Sequence, residues 1–206
     1  MQRPLSVISM LLLSNGLPAT SSAPSVFQAF LELPEKMLEA QPGLPREQII
    51  GSTQRTEKRE MPWGEANIEV RKNVNTQYLS VFVVQPGSST SYTLRAFNSS
   101  EGRRVFLVQK QHCYVPGCDT TILVVEKQGK VWKDRTDSLL PALTSSVLAK
   151  AYMETTGKTA SEGGEELDYH LQMPEEGNAV EVWNRYDERM FSLSWTGQKF
   201  VIRTKQ

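Results

Sequence analysis

The chain has 206 residues, enough for one ordinary domain or two small ones with a true apolar core. Its 23 basic and 23 acidic side chains cancel to a formal net charge of zero, which removes any global electrostatic reason to bind nucleic acid or an anionic membrane. With 39% apolar and 22% charged residues, it is not the composition of a disordered chain.

Residues 1–23, "MQRPLSVISMLLLSNGLPATSSA", carry one positive charge, Arg3, and no acid. An apolar run from Leu5 to Leu13 follows, then the helix breakers Asn15, Gly16 and Pro18, then small residues from Ala19 to Ala23. This is the three-part pattern of a secretory signal peptide. The run is about half the length a membrane-spanning helix needs, so an anchor is not expected. Cleavage after Ala23 would leave Pro24 first; Ala19 and Ser21 are alternatives. No cysteine lies near this point, which argues against a lipid-anchored product. The expected mature protein is soluble and secreted or periplasmic, with no membrane span.

"SVFQAFLELPEKMLEAQPGLPREQII" repeats apolar residues at helical spacing, and Pro34 and Pro45 suit the first turns of short helices. "GSTQRTEKREMPWGE" reads as a polar loop carrying Trp63. From Ala66 the chain turns to strands: "YLSVFVVQ", "SYTLRAF", "RRVFLVQKQ" and "DTTILVVEK" are rich in β-branched and aromatic residues. Pro86-Gly87, Asn98-Ser99 and Pro116-Gly117 punctuate them. Connections this short fit antiparallel hairpins and leave no room for crossover helices. Val105 to Val108 and Ile122 to Val125 are apolar at every position, the mark of strands buried on both faces.

"DRTDSLLPALTSSVLAKAYMETTG" carries a helical stripe that Gly157 can end. "KTASEGGEE" reads as a solvated acidic loop. In "LDYHLQM" and "RMFSLSW" apolar residues alternate with polar ones, and with "GNAVEVW" and "KFVIRTKQ" they complete a four-strand meander. The expectation is an α+β protein of largely antiparallel sheet with helices packed on one face. Two similar helix-then-four-strand halves are one arrangement that fits. Three segments result: a signal peptide (1–23), a helix-and-strand unit (24–135) and a second such unit (136–206). A single domain over residues 24–206 is the alternative.

Cys113 and Cys118 are the only cysteines, five positions apart around "YVPG". If they oppose each other across a hairpin, their β-carbons come within disulfide range. In an exported chain such thiols pair. A two-residue turn at Pro116-Gly117 would instead put them out of register. His112 and Cys113 point to opposite faces of a strand and the only other histidine, His170, is distant, so no metal site is expected. His170 falls on the polar face of its strand and reads as solvated.

No nucleophile elbow, phosphate loop or dinucleotide fingerprint occurs, so no catalytic residue and no cofactor is expected. Trp132, Trp183 and Tyr186 are the candidate residues of a binding surface, for a protein or a sugar, although burial is the simpler expectation for the tryptophans. Trp195 shares a face with Phe191 and Leu193 and reads as core. The functional expectation is an exported protein that acts by binding, to a protein or an envelope component. The alternatives are a small secreted hydrolase using paired carboxylates and a structural part of an envelope assembly.

Overall fold

The computed structural model describes residues 23–40, 43–52, 56–62, 64–115, 117–160 and 167–204. The expected signal peptide as far as residue 22, Trp63, Pro116 and the acidic stretch with Glu162, Glu165 and Glu166 lie outside these residues.

The fold is mostly antiparallel sheet with few helices. Seven strands form one sheet in chain order: β1 (Thr56–Met61), β2 (Gly64–Asn73), β3 (Tyr78–Gln85), β4 (Ser88–Asn98), β5 (Arg104–Tyr114), β6 (Gly117–Gln128) and β7 (Val131–Asp134). Every neighbouring pair is antiparallel. At the β3–β4 turn Gly87 takes φ 81°, the left-handed backbone that the second position of a Pro-Gly turn demands. Four further strands, β8 (Tyr169–Gln172), β9 (Ala179–Asn184), β10 (Arg189–Trp195) and β11 (Phe200–Arg203), make a second antiparallel meander.

The first strand set therefore has seven members, not the four expected of one of two similar halves. β1 was expected to be loop. Its sequence "TEKREM" is charged because it is an edge strand, where charge discourages pairing with another chain.

Each face of the seven-stranded sheet lines a different core, which explains the uninterrupted apolar runs. Phe106 and Val108 of β5 enter one cluster with Ile68, Val81, Tyr92, Leu94, Val125 and Trp132. Helices α1 (Val26–Glu32), α2 (Glu35–Leu38) and α3 (Arg46–Gly51) contribute Val26, Phe30, Leu38 and Ile49 to that cluster. Ser25 starts α1 with a capping box closed by Gln28, while Pro34 and Pro45 sit at the N-caps of α2 and α3.

Val105 and Leu107, the alternate residues of β5, enter the second cluster. There they meet Leu171, Val180, Val182, Phe191, Leu193 and Phe200 of the second sheet. The stripe foreseen from Leu139 onwards is split by Pro141 into α4 (Thr136–Leu139) and α5 (Ser145–Thr156). Thr144 caps α5 at its start and Gly157, at φ 72°, ends it. Leu148, Ala151 and Tyr152 add to the second core.

Polar links tie the two sheets. The buried Gln109 side chain of β5 donates to Leu171 O at 3.0 Å and accepts from Leu171 N–H at 2.7 Å. It thus satisfies the outer edge of β8 as a neighbouring strand would. Trp195 Nε1 donates to Asn98 O at 2.7 Å, and Ser100 N–H donates to Gly197 O at 2.8 Å. Arg95, 4% exposed, donates to the carbonyls of Pro174, Glu176 and Gly177 and so shapes the β8–β9 loop.

Candidate binding site

Of the three aromatics singled out as a possible surface, Trp132 is not on one. It is 7% exposed on β7, edge-to-face with Phe106 at 5.5 Å, and Lys127 lies 5.7 Å from its ring centroid. Its ring belongs to the first core, packed against Phe106, with Lys127, which also pairs with Glu32 of α1, beside it. Trp195 is half-buried against Phe97 and Phe200, at 6.0 and 5.0 Å, on the core side as expected.

Trp183 and Tyr186 belong to the second sheet, far along the chain from Trp132. Leu171, Val182 and Phe191 are in register and point inward, so the alternate row His170–Trp183–Arg189 crosses the outer face. Trp183 Nε1 donates to Glu181 Oε2 at 3.1 Å, and Glu181 also pairs with Arg189 at 3.2 Å. His170 is half-buried rather than solvated, because Trp183 stands directly across from it. Burial pushes its pKa below the ordinary histidine value, partly opposed by the charge of Asp187. Tyr186 is 57% exposed in the β9–β10 turn, with the Arg185 guanidinium 6.0 Å from its ring centroid.

At the tip of the β5–β6 hairpin, Tyr114 pairs with Gly117 and Cys113 with Cys118. The pairing of Tyr114 with Gly117 keeps the cysteines in register, opposite each other. Their Cα atoms are 4.0 Å apart and their sulfurs 2.12 Å, at disulfide distance. His112 lies on the opposite face, its Nδ1 2.8 Å from Thr90 Oγ1. Among the described residues no three His, Cys, Asp or Glu side chains converge as metal ligands would.

A further surface was missed by the sequence reading. β6 has twelve residues and β7 only four, so β7 pairs with β6 from Val125 onward and not before. Among the described residues no strand pairs with the outer edge of β6 between Gly117 and Val124. Beside that edge is a hollow of about 400 Å³. Ile122, Leu140, Leu143 and Tyr169 line one side of it, and Thr136 and Asp137 make the other side polar. The signal was present in the sequence: "GKVWKD" runs straight into "RTDSLL", which leaves too few residues to cover the full length of "CDTTILVVEK".

No family model matches the chain, and no curated protein is significantly similar to it. A solved structure, that of a domain of an uncharacterized protein from Porphyromonas gingivalis W83, has the same fold. It aligns with a TM-score of 0.53 at 15% identity over 89% of this chain and all of its own. At that identity the likeness is one of architecture.

Proposed function

We propose that this protein is exported and acts without catalysis, by binding another protein or an envelope component. The observation that carries the reading is the edge of β6 from Cys118 to Ile122, which no strand among the described residues covers, with a partly apolar hollow beside it. The outer face of the second sheet, with Trp183 between His170 and Arg189, offers a second contact area. Export is supported by the pattern of residues 1–23 and by cysteines at disulfide distance, which suits an oxidising compartment. Among the described residues no helix is long and apolar enough to cross a membrane. Neutral net charge gives no reason to involve nucleic acid.

The test uses the mature chain as bait in native envelope extract. A partner recovered saturably, and displaced by untagged protein, is the expected result. Hydrolysis of a polysaccharide or peptide panel by the purified chain, with no saturable partner, would transfer the role to the carboxylate hydrolase.

A further inference from the structure

We propose that an extended peptide binds by adding a strand to the free edge of β6, with one apolar side chain seated in the hollow at Ile122. The inference rests on the binding role above and names the partner's chemistry.

In an antiparallel hairpin closed by two residues, the pair flanking the turn exchanges both hydrogen bonds, and the pairs beyond it alternate. Tyr114 and Gly117 flank this turn, so Asp119 and Thr121 also bond to β5. Cys118, Thr120 and Ile122 therefore turn their N–H and C=O groups away from β5. Val124, next in that outward series, checks the phase. Its N–H donates to Thr136 Oγ1 at 2.9 Å, and its C=O accepts from Arg135 N–H at 2.7 Å. The chain after β7 thus serves Val124 and leaves the three residues before it without a strand.

Among the described residues three donors and three acceptors are left without a backbone partner, spread over about 14 Å of strand. Folded proteins blunt such edges with lysine, proline, bulges or a covering element. "CDTTI" carries no lysine and no proline, and its pairing with β5 runs without a register shift. Its single charge, Asp119, belongs to the other face of the sheet from Ile122. The pairing of Cys113 with Cys118 holds the first rung of the edge rigid.

Backbone bonds alone would accept any strand; selectivity in strand addition comes from pockets for alternate side chains. Ile122 belongs both to the edge and to the hollow, so a residue of the incoming strand beside it meets Leu140, Leu143 and Tyr169. That side of the hollow calls for an apolar side chain, while Thr136 and Asp137 line the rest. A second copy of this chain would serve less well. Two β6 edges paired about Thr120 set Cys118 of one against Ile122 of the other, and a cysteine tied to Cys113 cannot fill the space.

Random dodecapeptides displayed on phage, selected against the full mature protein, supply the probe. Enriched synthetic peptides should alternate apolar and polar residues and slow amide exchange at Cys118, Thr120 and Ile122. Thr120→Pro removes an outward N–H that β5 does not use, a substitution edge strands tolerate, and should weaken binding at least about tenfold. Thr120→Val should bind as the parent does. Leu140→Lys alters the hollow and spares the edge, and should weaken binding to a similar degree, which decides the matter if the proline variant does not fold. Strand addition is overturned if no peptide is enriched, if both variants keep full affinity, or if wild-type chains instead dimerise through Thr120. Loss of affinity confined to Trp183→Ala rejects strand addition but leaves the binding role standing. Failure of both this selection and partner recovery rejects the binding role as well.

Discussion

Gln109→Leu tests how the two sheets are held together. Gln109 is 5% exposed, and both hydrogen bonds of its amide go to the backbone of Leu171, itself 3% exposed. Leucine keeps similar bulk and removes both partners at once. The N–H and C=O of Leu171 are then orphaned where water does not reach, at about 1–3 kcal/mol each. Added apolar burial in the second core returns about 1–2 kcal/mol. The net loss should be about 2–3 kcal/mol, which in a chain of this size lowers Tm by roughly 5–10 °C. Urea unfolding followed by tryptophan fluorescence gives the free energy, and calorimetry the midpoint. Gln109→Glu separates the two bonds. A carboxylate can accept from Leu171 N–H but repels Leu171 C=O, so that variant should regain stability as pH falls and the new carboxyl takes up a proton. A leucine variant within about half a kcal/mol of the parent would refute the strand-mimic role of Gln109.

Mass spectrometry of unreduced native protein should show no free thiol at Cys113 or Cys118. Reduction should cost about 2 kcal/mol in urea unfolding, the chain-entropy value for so short a loop, and unchanged unfolding would mean the tip is already fixed by its strands. Glu126, 3% exposed, accepts from Gln128 Nε2 at 3.0 Å and pairs with Arg103 at 2.8 Å. Because Arg103 reaches solvent, Glu126→Ala should cost about 1–2 kcal/mol and Glu126→Gln less; equal losses would deny the charge a role. His170 has a lowered pKa in the fold, so the unfolded chain binds the extra proton first. Its contribution is complete above about pH 6.5 and shrinks as pH falls through the depressed folded value. His170→Gln should flatten the urea-midpoint profile between about pH 7 and 5; an unchanged slope would assign it to carboxylates.

The architecture was legible wherever one residue type served one purpose. Val105 to Val108 announced two-sided burial because adjacent residues on a strand must enter different cores, and the two clusters divide them so. Thr144 and Gly157 bounded α5 because caps are local chemistry. β1 was hidden because an edge strand protects itself with the charges that define a loop in sequence. Trp132, left between surface candidate and burial, is buried by a core partner, Phe106, 26 positions away, which no local pattern marks. Gln109 was unreadable for the same reason: its partner is a backbone 62 residues further on, and no side-chain pattern marks a main-chain partner.

The same distinction separates the two kinds of edge in this fold. β8 has its outer backbone groups at Leu171 met by a side chain from β5, and β1 is guarded by charge. β6 has neither device along Cys118 to Ile122, although its far end is fully served by β7 and by Thr136. A chain that guards β1 and β8 by such specific means leaves this edge, among the described residues, without a strand beside a partly apolar hollow. Selection against edge pairing acts on every strand exposed to solvent. An unguarded edge therefore persists most readily where pairing with another chain is what the edge is for.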